Sequence, residues 1–237
     1  MESRYIRQIN VDHVGIVGQG RLQQSRVLIA GLGGVGSAAS IYLGTCGVGR
    51  IDLLDDDVVS EHNLHRQILY DEIDVGQAKV NVAQERIRAK NSQSAVNAIH
   101  MHLNDASSLK MDYDLVLDCF DSLPSRFALA HYCVQAKVPL ISAGARGWGG
   151  FIFTQLRAGD ACIGCFLGLP GRERSDPGSP GVMGMAAGMA GILQASEAAR
   201  FLLGGSERQH NYEIFDLWGR ETVWLSIARR NQCPVCG

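Results

Sequence analysis

A glycine-rich turn near the start of the chain constrains its fold most. Residues 31–36 read Gly-Leu-Gly-Gly-Val-Gly and lie between an apolar run at 26–31 and an alanine-rich run at 34–46. Glycines at this spacing let a strand turn tightly into a helix whose first N–H groups face phosphate. Asp55 ends the next apolar run, at about the 20-residue distance typical of an acid that binds ribose. The pattern predicts a nucleotide-binding unit, for NAD or for ATP, that uses Gly31, Gly33, Gly34, Gly36 and Asp55.

Strand-like and helix-like runs alternate over the first part of the chain. Strands are predicted at 26–31, 50–55, 95–101, 113–119 and 138–143, and helices at 34–46, 76–90 and 122–136. This alternation favours right-handed crossovers and a mostly parallel sheet. After Gly150 we expect antiparallel strands at 151–157, 211–217 and 222–229, with a helix at 182–203. We therefore predict an α/β, Rossmann-like single domain over 1–237, with a nucleotide-binding half (about 1–145) and a second half (about 146–237) that carries the antiparallel extension.

Composition excludes several other classes of protein. Among 237 residues, 46 % are hydrophobic and 19 % are charged, which supports a sizeable core and argues against disorder. The net charge of −2 gives no basic field for nucleic acid. The apolar stretch 182–195 has 14 residues, fewer than the roughly 20 of a spanning helix, so we expect a buried helix and no membrane partner. No charged-then-apolar leader opens the chain, which favours a cytoplasmic protein.

Four of the seven cysteines form two Cys-x-x-Cys pairs. An odd cysteine count without signs of secretion disfavours a disulfide framework. Two such pairs instead provide four thiolates in a closed tetrahedral set, which is typical of structural zinc. Redox use of one pair is the alternative, but neither pair follows the first strand of a thioredoxin-like fold. The predicted zinc ligands are Cys162, Cys165, Cys233 and Cys236.

Polar side chains that follow the second predicted strand distinguish an ATP site from an NAD site. Basic and amide residues recur in Asn63-Leu-His-Arg66-Gln67 and in Gly76-Gln-Ala-Lys79. A dehydrogenase has no use for such cations, whereas nucleotidyl transfer needs them to neutralise charge on the phosphates. Asp118 and Asp121 follow a predicted parallel strand and offer carboxylates for Mg²⁺.

These segments, together with Arg4-Tyr-Ile-Arg7-Gln8-Ile and both cysteine pairs, resemble the ThiF/MoeB/HesA family of ubiquitin-activating-like adenylyltransferases over essentially the whole chain. The resemblance implies a homodimer that uses ATP and Mg²⁺, holds a four-cysteine zinc site, and adenylates the terminal glycine of a ubiquitin-fold sulfur carrier. It implies ribose binding by Asp55, Mg²⁺ binding by Asp121, and an Arg7 that reaches into the neighbouring active site. The other residues that it places against the nucleotide or its phosphates are Gly33, Gly36, Asp57, Asn63, Arg66, Gln67 and Lys79.

Each of these residues taken alone has an ordinary structural interpretation. Arg66 and Lys79 are also compatible with solvated surface charge, and Asp121 with a helix N-cap before Ser122. Their occurrence together, in the order of the family, favours the catalytic interpretation. The reaction needs no general base, because a terminal carboxylate with a pKa near about 3.5 is already ionised at pH 7. We accordingly interpret His62 and His65 as surface residues, and the remaining sequence holds no histidine-based triad.

The identity of the carboxylate remains open among several alternatives. Residues 147–150 and 232–237 resemble the thiamine branch, which favours a ThiS-like carrier. The segment 167–180 is predicted to be a mobile crossover loop. Some ThiF-type proteins carry a further cysteine in the loop after the first zinc pair, but the corresponding stretch here, 174–181, has none, and no cysteine occurs between Cys165 and Cys233. This absence favours a MoaD-like carrier in molybdopterin biosynthesis and a reaction that stops at the acyl-adenylate. Activation of a small-molecule or tRNA carboxylate, and a non-catalytic NAD-binding scaffold, are the alternatives from other classes.

Overall fold

The glycine-rich turn joins a central strand of the sheet to a long helix, as the sequence predicts. A computed structural model of the chain describes residues 2–103, 109, 112–167, 181–205 and 210–237. The strands in these residues are β1 (Arg26–Ala30), β2 (Arg50–Asp55), β3 (Ala95–His100), β4 (Leu115–Asp118), β5 (Leu140–Arg146), β6 (Gly149–Gln155), β7 (Tyr212–Asp216) and β8 (Glu221–Leu225). The helices are α1 (Glu2–Ile9), α2 (Gly15–Gln24), α3 (Gly34–Cys46), α4 (Lys79–Lys90), α5 (Leu123–Ala136), α6 (Ile163–Leu167) and α7 (Gly184–Leu202).

All the strands pair in one sheet of order β3-β2-β1-β4-β5-β6-β7-β8. The strands β3, β2, β1, β4 and β5 run parallel, and β6, β7 and β8 extend the sheet in antiparallel pairs. This confirms the predicted fold class. β1 pairs with β2 on one side and with β4 on the other, so the chain order reverses at β1. Open α/β sheets bind ligands at such a reversal, at the carboxyl ends of the strands.

Helices cover both faces of the parallel strands, which explains why β1 is apolar at each position after Arg26. Successive strand side chains point to opposite faces. Val27 and Ile29 belong to the core cluster that includes residues of α3, α4 and α7, whereas Leu28 and Ala30 belong to the cluster that includes residues of α5 and α6. β1 is therefore packed on both faces by hydrophobic clusters, which fixes the position of the glycine-rich loop that follows it.

A seam of small residues joins α3 to α7. A Cβ atom at Gly191 would lie 2.3 Å from the carbonyl oxygen of Val35, and one at Gly34 would lie 2.8 Å from the Cβ atom of Ala187. The Gly- and Ala-rich stretch 182–195 thus forms most of a helix packed inside the protein, which confirms its interpretation as a buried helix. None of the helices in the described ranges has the length and apolarity needed to cross a bilayer.

Several element boundaries differ from those predicted. α4 begins at Lys79 rather than near Gly76, because Gly76 has φ +88° and Ala78 forms an isolated bridge with Val58. β6 begins at Gly149, since a tight turn at residues 147–148 pairs it directly with β5. β8 ends at Leu225, and the following residues lead to the second cysteine pair without strand pairing. Residues 168–180 of the predicted crossover loop lie outside the described residues.

Candidate nucleotide site and cysteine cluster

The glycine loop has no room for side chains at two of its positions. Gly31 has φ +92°, and a Cβ atom there would lie 2.9 Å from the carbonyl carbon and oxygen of Cys119. A Cβ atom at Gly36 would lie 1.9 Å from the carbonyl oxygen of Gly31. Gly33 is the N-cap of α3, so the first N–H groups of that helix open beside the loop. The loop therefore has the backbone form that cradles phosphate.

Asp55 ends β2 beneath this loop and organises it. Its Oδ2 atom accepts a hydrogen bond from the N–H of Leu32 at 2.6 Å, and its Oδ1 atom accepts one from the N–H of Asp57 at 2.9 Å. Burial raises the pKa of the Asp55 carboxyl above its ordinary value, and the Lys79 ammonium and these N–H groups act against that rise. An ionised carboxylate has about four lone-pair sites, so capacity remains for ribose hydroxyls.

Lys79, at the start of α4, is buried rather than a solvated surface charge. Its Nζ atom lies 2.7 Å from Oδ2 of Asp57, with its side chain 4 % exposed against 68 % for that of Asp57. The carboxylates of Asp55, Asp56 and Asp57 lie within 4.8 Å of one another, an arrangement that can hold a metal ion. The structure thus brings a buried cation and an acidic cluster to the carboxyl end of β2.

The segment after β2 brings Arg66 and Gln67 to the glycine loop. Arg66 Nη2 donates to Oδ1 of Asn63 at 2.6 Å, which orients the guanidinium. A Cβ atom at Gly34 would lie 3.3 Å from Cγ of Arg66, so the stem of this arginine adjoins the start of α3. Gln67 is 3 % exposed, and its Oε1 atom has no hydrogen-bond partner among the described residues. A buried amide oxygen without a partner beside a phosphate-binding loop fits a site that a ligand with a hydrogen-bond donor completes.

The two carboxylates after β4 have different surroundings. Asp118 is fully buried and forms an ion pair with Arg126 at 2.8 Å, and burial raises the pKa of its carboxyl. Asp121 is exposed and has no hydrogen-bond or ion-pair partner within the described ranges. Ser122, not Asp121, caps α5, by accepting the N–H of Ser125 at 3.2 Å. Asp121 is therefore the carboxylate of this pair that remains available to a ligand.

Sequence reasoning missed the buried polar residue Gln194, which lies in the middle of α7. Its Nε2 atom donates to the carbonyl oxygens of Asp118 at 3.0 Å and Ile141 at 2.8 Å, and its Oε1 atom accepts from the Cys119 thiol at 3.0 Å. The side chain thus ties the last residue of β4 to the second residue of β5, and Cys119 lies against Gly31 of the glycine loop. A single glutamine within the Gly- and Ala-rich stretch was the available indication.

Arg7 lies on α1, and it is exposed. In the described part of this single chain, no hydrogen bond or ion pair holds its guanidinium. Its expected reach into a neighbouring protomer stays a prediction, as does the homodimer itself. His62 and His65 are exposed, as expected for surface residues.

The two cysteine pairs come together as predicted. The Sγ atoms of Cys162 and Cys233 lie 3.6 Å apart, and those of Cys165 and Cys236 lie 3.4 Å apart. These separations exclude disulfides, whose S–S bond is about 2.05 Å. They are close to the roughly 3.8 Å edge of a tetrahedron with metal–sulfur bonds of about 2.3 Å. All four cysteines are buried, and their ligand atoms lie within 4.8 Å of one another, so the cluster can hold a metal ion.

Comparisons with known proteins agree with this arrangement. The chain is 39 % identical over 238 residues to the molybdopterin-synthase adenylyltransferase of Escherichia coli K12, covering 99 % of this chain and 96 % of that protein. It is 37 % identical over 240 residues to the sulfur carrier protein ThiS adenylyltransferase of the same organism, covering 99 % and 94 %. The crystal structure of E. coli MccB with succinimide matches with a TM-score of 0.87 at 25 % identity, over 99 % of this chain and 74 % of that one. The model of the ThiF family matches residues 5–235, and the chain therefore belongs to the ThiF family.

Proposed function

We propose that this protein uses ATP to adenylate the C-terminal glycine carboxylate of a ubiquitin-fold sulfur carrier protein. The observation that carries the proposal is the convergence of the glycine loop with Asp55, Arg66 and Lys79 at the carboxyl ends of β1 and β2. A site for NAD alone has no need of a buried lysine and an oriented arginine there. Both cations suit the charge that develops on the α-phosphate and on the leaving pyrophosphate.

In this reaction one carboxylate oxygen of the carrier attacks the α-phosphorus of ATP. A carboxylate–phosphorus bond forms, the bond from the α-phosphorus to the bridging oxygen breaks, and pyrophosphate leaves. Asp55 holds the ribose, the N–H groups at the start of α3 hold phosphate oxygens, and Gln67 completes its amide hydrogen bonds with the nucleotide. No proton has to be removed from the nucleophile, so positioning and charge neutralisation supply the catalysis.

Asp121 is the proposed Mg²⁺ ligand, because its exposed carboxylate is free of protein partners in the described ranges. Mg²⁺ would neutralise phosphate charge. The acidic cluster at Asp55, Asp56 and Asp57 is a second set of oxygen ligands nearby. Zinc is assigned to the four buried cysteines, where a closed thiolate set gives it a structural role. We further propose that the protein forms a homodimer in which Arg7 of one protomer completes the nucleotide site of its partner.

For the carrier we favour a ThiS-like protein, on the resemblance of residues 147–150 and 232–237 to the thiamine branch. A MoaD-like carrier is the second candidate, favoured by the absence of a cysteine from residues 174–181. Sequence identities of 39 % and 37 % to the two E. coli relatives are too similar to decide between the two candidate carriers.

The deciding experiment is ATP–pyrophosphate exchange with purified carriers that end in Gly-Gly. We expect exchange with a ThiS-like carrier and a loss of at least about 100-fold in the Arg66→Ala variant. Exchange with a MoaD-like carrier alone would reassign the partner. ATP binding without exchange on any carrier would replace the proposal with activation of a small-molecule carboxylate, and failure to bind ATP with Mg²⁺ would point to an NAD-binding or scaffold role.

A further inference from the structure

One face of α7 packs against three separate parts of the proposed nucleotide site. The residues of this face recur at helical spacing and are Gly184, Ala187, Gly191 and Gln194. The first contacts the segment that carries Arg66, since a Cβ atom there would lie 2.4 Å from the carbonyl oxygen of His65. The next two lie against the first turns of α3, which follows the glycine loop. The last reaches the end of β4, and it alone of the four has a polar side chain.

The amide group of Gln194 is fully buried and holds the two residues at which β4 ends. Its Nε2 atom donates to the carbonyl oxygen of Asp118 at 3.0 Å, and its Oε1 atom accepts the thiol of Cys119, also at 3.0 Å. A second donation from Nε2, at 2.8 Å to Ile141, joins these residues to β5. Because an unpaired buried carbonyl oxygen is unfavourable, these groups stay together in the folded protein.

Cys119 packs directly on the glycine loop. A Cβ atom at Gly31 would lie 2.9 Å from the carbonyl carbon of Cys119 and 3.0 Å from the nitrogen of Phe120. A Cβ atom at Gly36 would lie 3.4 Å from Cβ of Cys119. The N–H group of Cys119 also donates to the carbonyl oxygen of Ala30 at 2.8 Å. A shift of Cys119 therefore changes the distance between this segment and the loop that is proposed to bind phosphate.

The short turn that carries Asp121 is held at both of its ends. Oδ1 of Asp118 accepts the N–H group of Phe120 at 3.1 Å. Helix α5 begins directly after the turn, and its Arg126 pairs with Asp118 at 2.8 Å. With both ends tied to Asp118, the position of the exposed Asp121 carboxylate relative to the glycine loop follows the position of Asp118.

We propose that Gln194 is a positioning residue for the adenylation reaction. Through Asp118 and Cys119 it fixes the turn whose Asp121 carboxylate is the proposed Mg²⁺ ligand. Residues that orient a metal ligand without touching the metal commonly change metal affinity by about 10–100-fold when substituted. The role assigned to Gln194 rests on the proposed function, because that function gives Asp121 its Mg²⁺. It extends the site to a residue that is fully buried and does not face the solvent from which ATP enters.

The test compares the Gln194→Met variant with the wild type, using full-length protein and ATP–pyrophosphate exchange over a series of Mg²⁺ concentrations. Methionine resembles glutamine in length but has no amide. We expect kcat to fall at least about tenfold, and the Mg²⁺ concentration for half-maximal exchange to rise at least about fivefold, because the Asp121 carboxylate is displaced. The KM for the carrier should change by less than about twofold, since the carrier does not contact Gln194.

Gln84→Met is the matched control. Gln84 lies on α4, and its amide also donates to a strand carbonyl, that of Val96 at 2.8 Å, near the start of β3 and away from the carboxyl ends of the strands. This variant should keep the wild-type dependence on Mg²⁺.

Amide hydrogen exchange, followed by mass spectrometry, measures the same displacement without catalysis. The N–H groups of Cys119 and Phe120 are both hydrogen-bonded in the folded protein. Gln194→Met should increase their exchange rate at least about tenfold, because the turn opens more often, while β7 should keep its protection. Gln84→Met should leave the exchange of Cys119 and Phe120 unchanged.

Activity that falls only in proportion to the folded fraction, with the wild-type dependence on Mg²⁺, would overturn the role of Gln194 and leave it a purely structural residue. Unchanged hydrogen exchange at Cys119 and Phe120 would overturn it as well. If the wild-type protein catalyses no exchange with any carrier, the proposed function fails, and hydrogen exchange alone then decides whether Gln194 holds the turn. Where Gln194→Met does not fold, Gln194→Asn replaces it and should show the same changes, because its amide is too short to reach both carbonyl oxygens.

Discussion

The hydroxyl group of Tyr70 donates a hydrogen bond to the carbonyl oxygen of Leu32 at 3.0 Å, inside the glycine loop. The N–H group of Leu32 donates at 2.6 Å to Asp55. Both backbone polar groups of Leu32 are thus held, the N–H group by the end of β2 and the carbonyl oxygen by Tyr70, which follows the segment that carries Arg66 and Gln67. The Ser37 hydroxyl also donates to the Leu32 carbonyl oxygen, at 3.3 Å. Because glycines flank Leu32 and restrain the backbone least, these hydrogen bonds help to set the shape of the loop.

Substitution of Tyr70 by Phe should weaken ATP binding. The variant removes one buried hydrogen bond, which should lower the free energy of unfolding by about 1 kcal/mol. We expect a loss of about fivefold in ATP affinity in addition, because the loop becomes free to leave its phosphate-binding form. Equilibrium binding of ATP and urea unfolding measure the two effects separately.

Tyr113→Phe provides a matched control for this substitution. The Tyr113 hydroxyl donates to Asp52 at 2.7 Å in a buried setting, just before β4 and away from the glycine loop. The Tyr113→Phe variant should lose a similar part of the free energy of unfolding and should bind ATP as tightly as the wild type. Equal ATP affinity in the Tyr70→Phe variant and the wild type would contradict the role assigned to Tyr70.

Asp121→Asn should separate activity from stability. Its carboxylate is exposed and makes no contact with a partner in the described structure, so the free energy of unfolding should change by no more than about 0.5 kcal/mol. Pyrophosphate exchange should nevertheless fall at least about 100-fold, and added Mg²⁺ should not restore it fully. Asp12→Asn, an exposed aspartate between α1 and α2, serves as the control for both measurements. A variant with full exchange activity would remove Asp121 from the magnesium site.

The cysteine cluster should contain one zinc ion per chain, measurable by elemental mass spectrometry. Cys165→Ser removes one of four ligands, and we expect it to lose the metal and to unfold at a lower temperature than the wild type. Cys133→Ala, a buried cysteine outside the cluster, should keep the metal. Prolonged treatment of the wild-type protein with a chelator should reproduce the behaviour of Cys165→Ser. Purified wild-type protein without metal and with unchanged stability would contradict a structural zinc site.

Arg126→Met should destabilise the protein in a way that depends on pH. The variant leaves the buried carboxylate of Asp118 without its cation, and breaking such a pair costs about 3–5 kcal/mol near neutral pH. Burial raises the pKa of Asp118, and loss of the cation raises it further, so the folded state binds a proton more tightly than the unfolded state.

The stability deficit of Arg126→Met should therefore shrink as the pH falls through the raised pKa of Asp118, where the carboxyl becomes neutral in the folded protein. Urea unfolding of the variant and the wild type at a series of pH values measures this difference. A deficit that is constant with pH would mean that packing around Arg126, and not the charge of Asp118, accounts for the loss.

The parallel half of the fold was predictable because each of its elements has a local pattern. Apolar runs such as 26–31 and 50–55 end at Gly or Asp, and the helices between them have their own apolar spacing. The cysteine cluster was predictable for a different reason, since two Cys-x-x-Cys pairs have few uses in a chain without signs of secretion. Each apolar run and each Cys-x-x-Cys pair lies within a few neighbouring residues, so a single sequence is enough to identify it.

Contacts between elements distant in the sequence were not predictable. From their position after β4 alone, Asp118 and Asp121 are equivalent as possible magnesium ligands. The family resemblance singled out Asp121, and the ion pair of Arg126 with Asp118 supplies the physical reason, which the sequence does not show. The role of Gln194 depends on α7 packing against the end of β4 and the start of β5, which no local pattern specifies. The start of α4 was missed because Gly76 is a turn residue with φ +88°, although its neighbours have helical spacing.

The cysteine cluster also changes how the chain is connected. Its first pair precedes residues 168–180, and its second pair follows β8, so a bound metal closes a ring that contains α7, β7 and β8. A single backbone cut within that ring leaves two fragments that coordination through the four sulfurs continues to tether. A protease nick between 167 and 181 would therefore yield two bands in a denaturing gel but one particle in native buffer, and removal of the metal would weaken that tether.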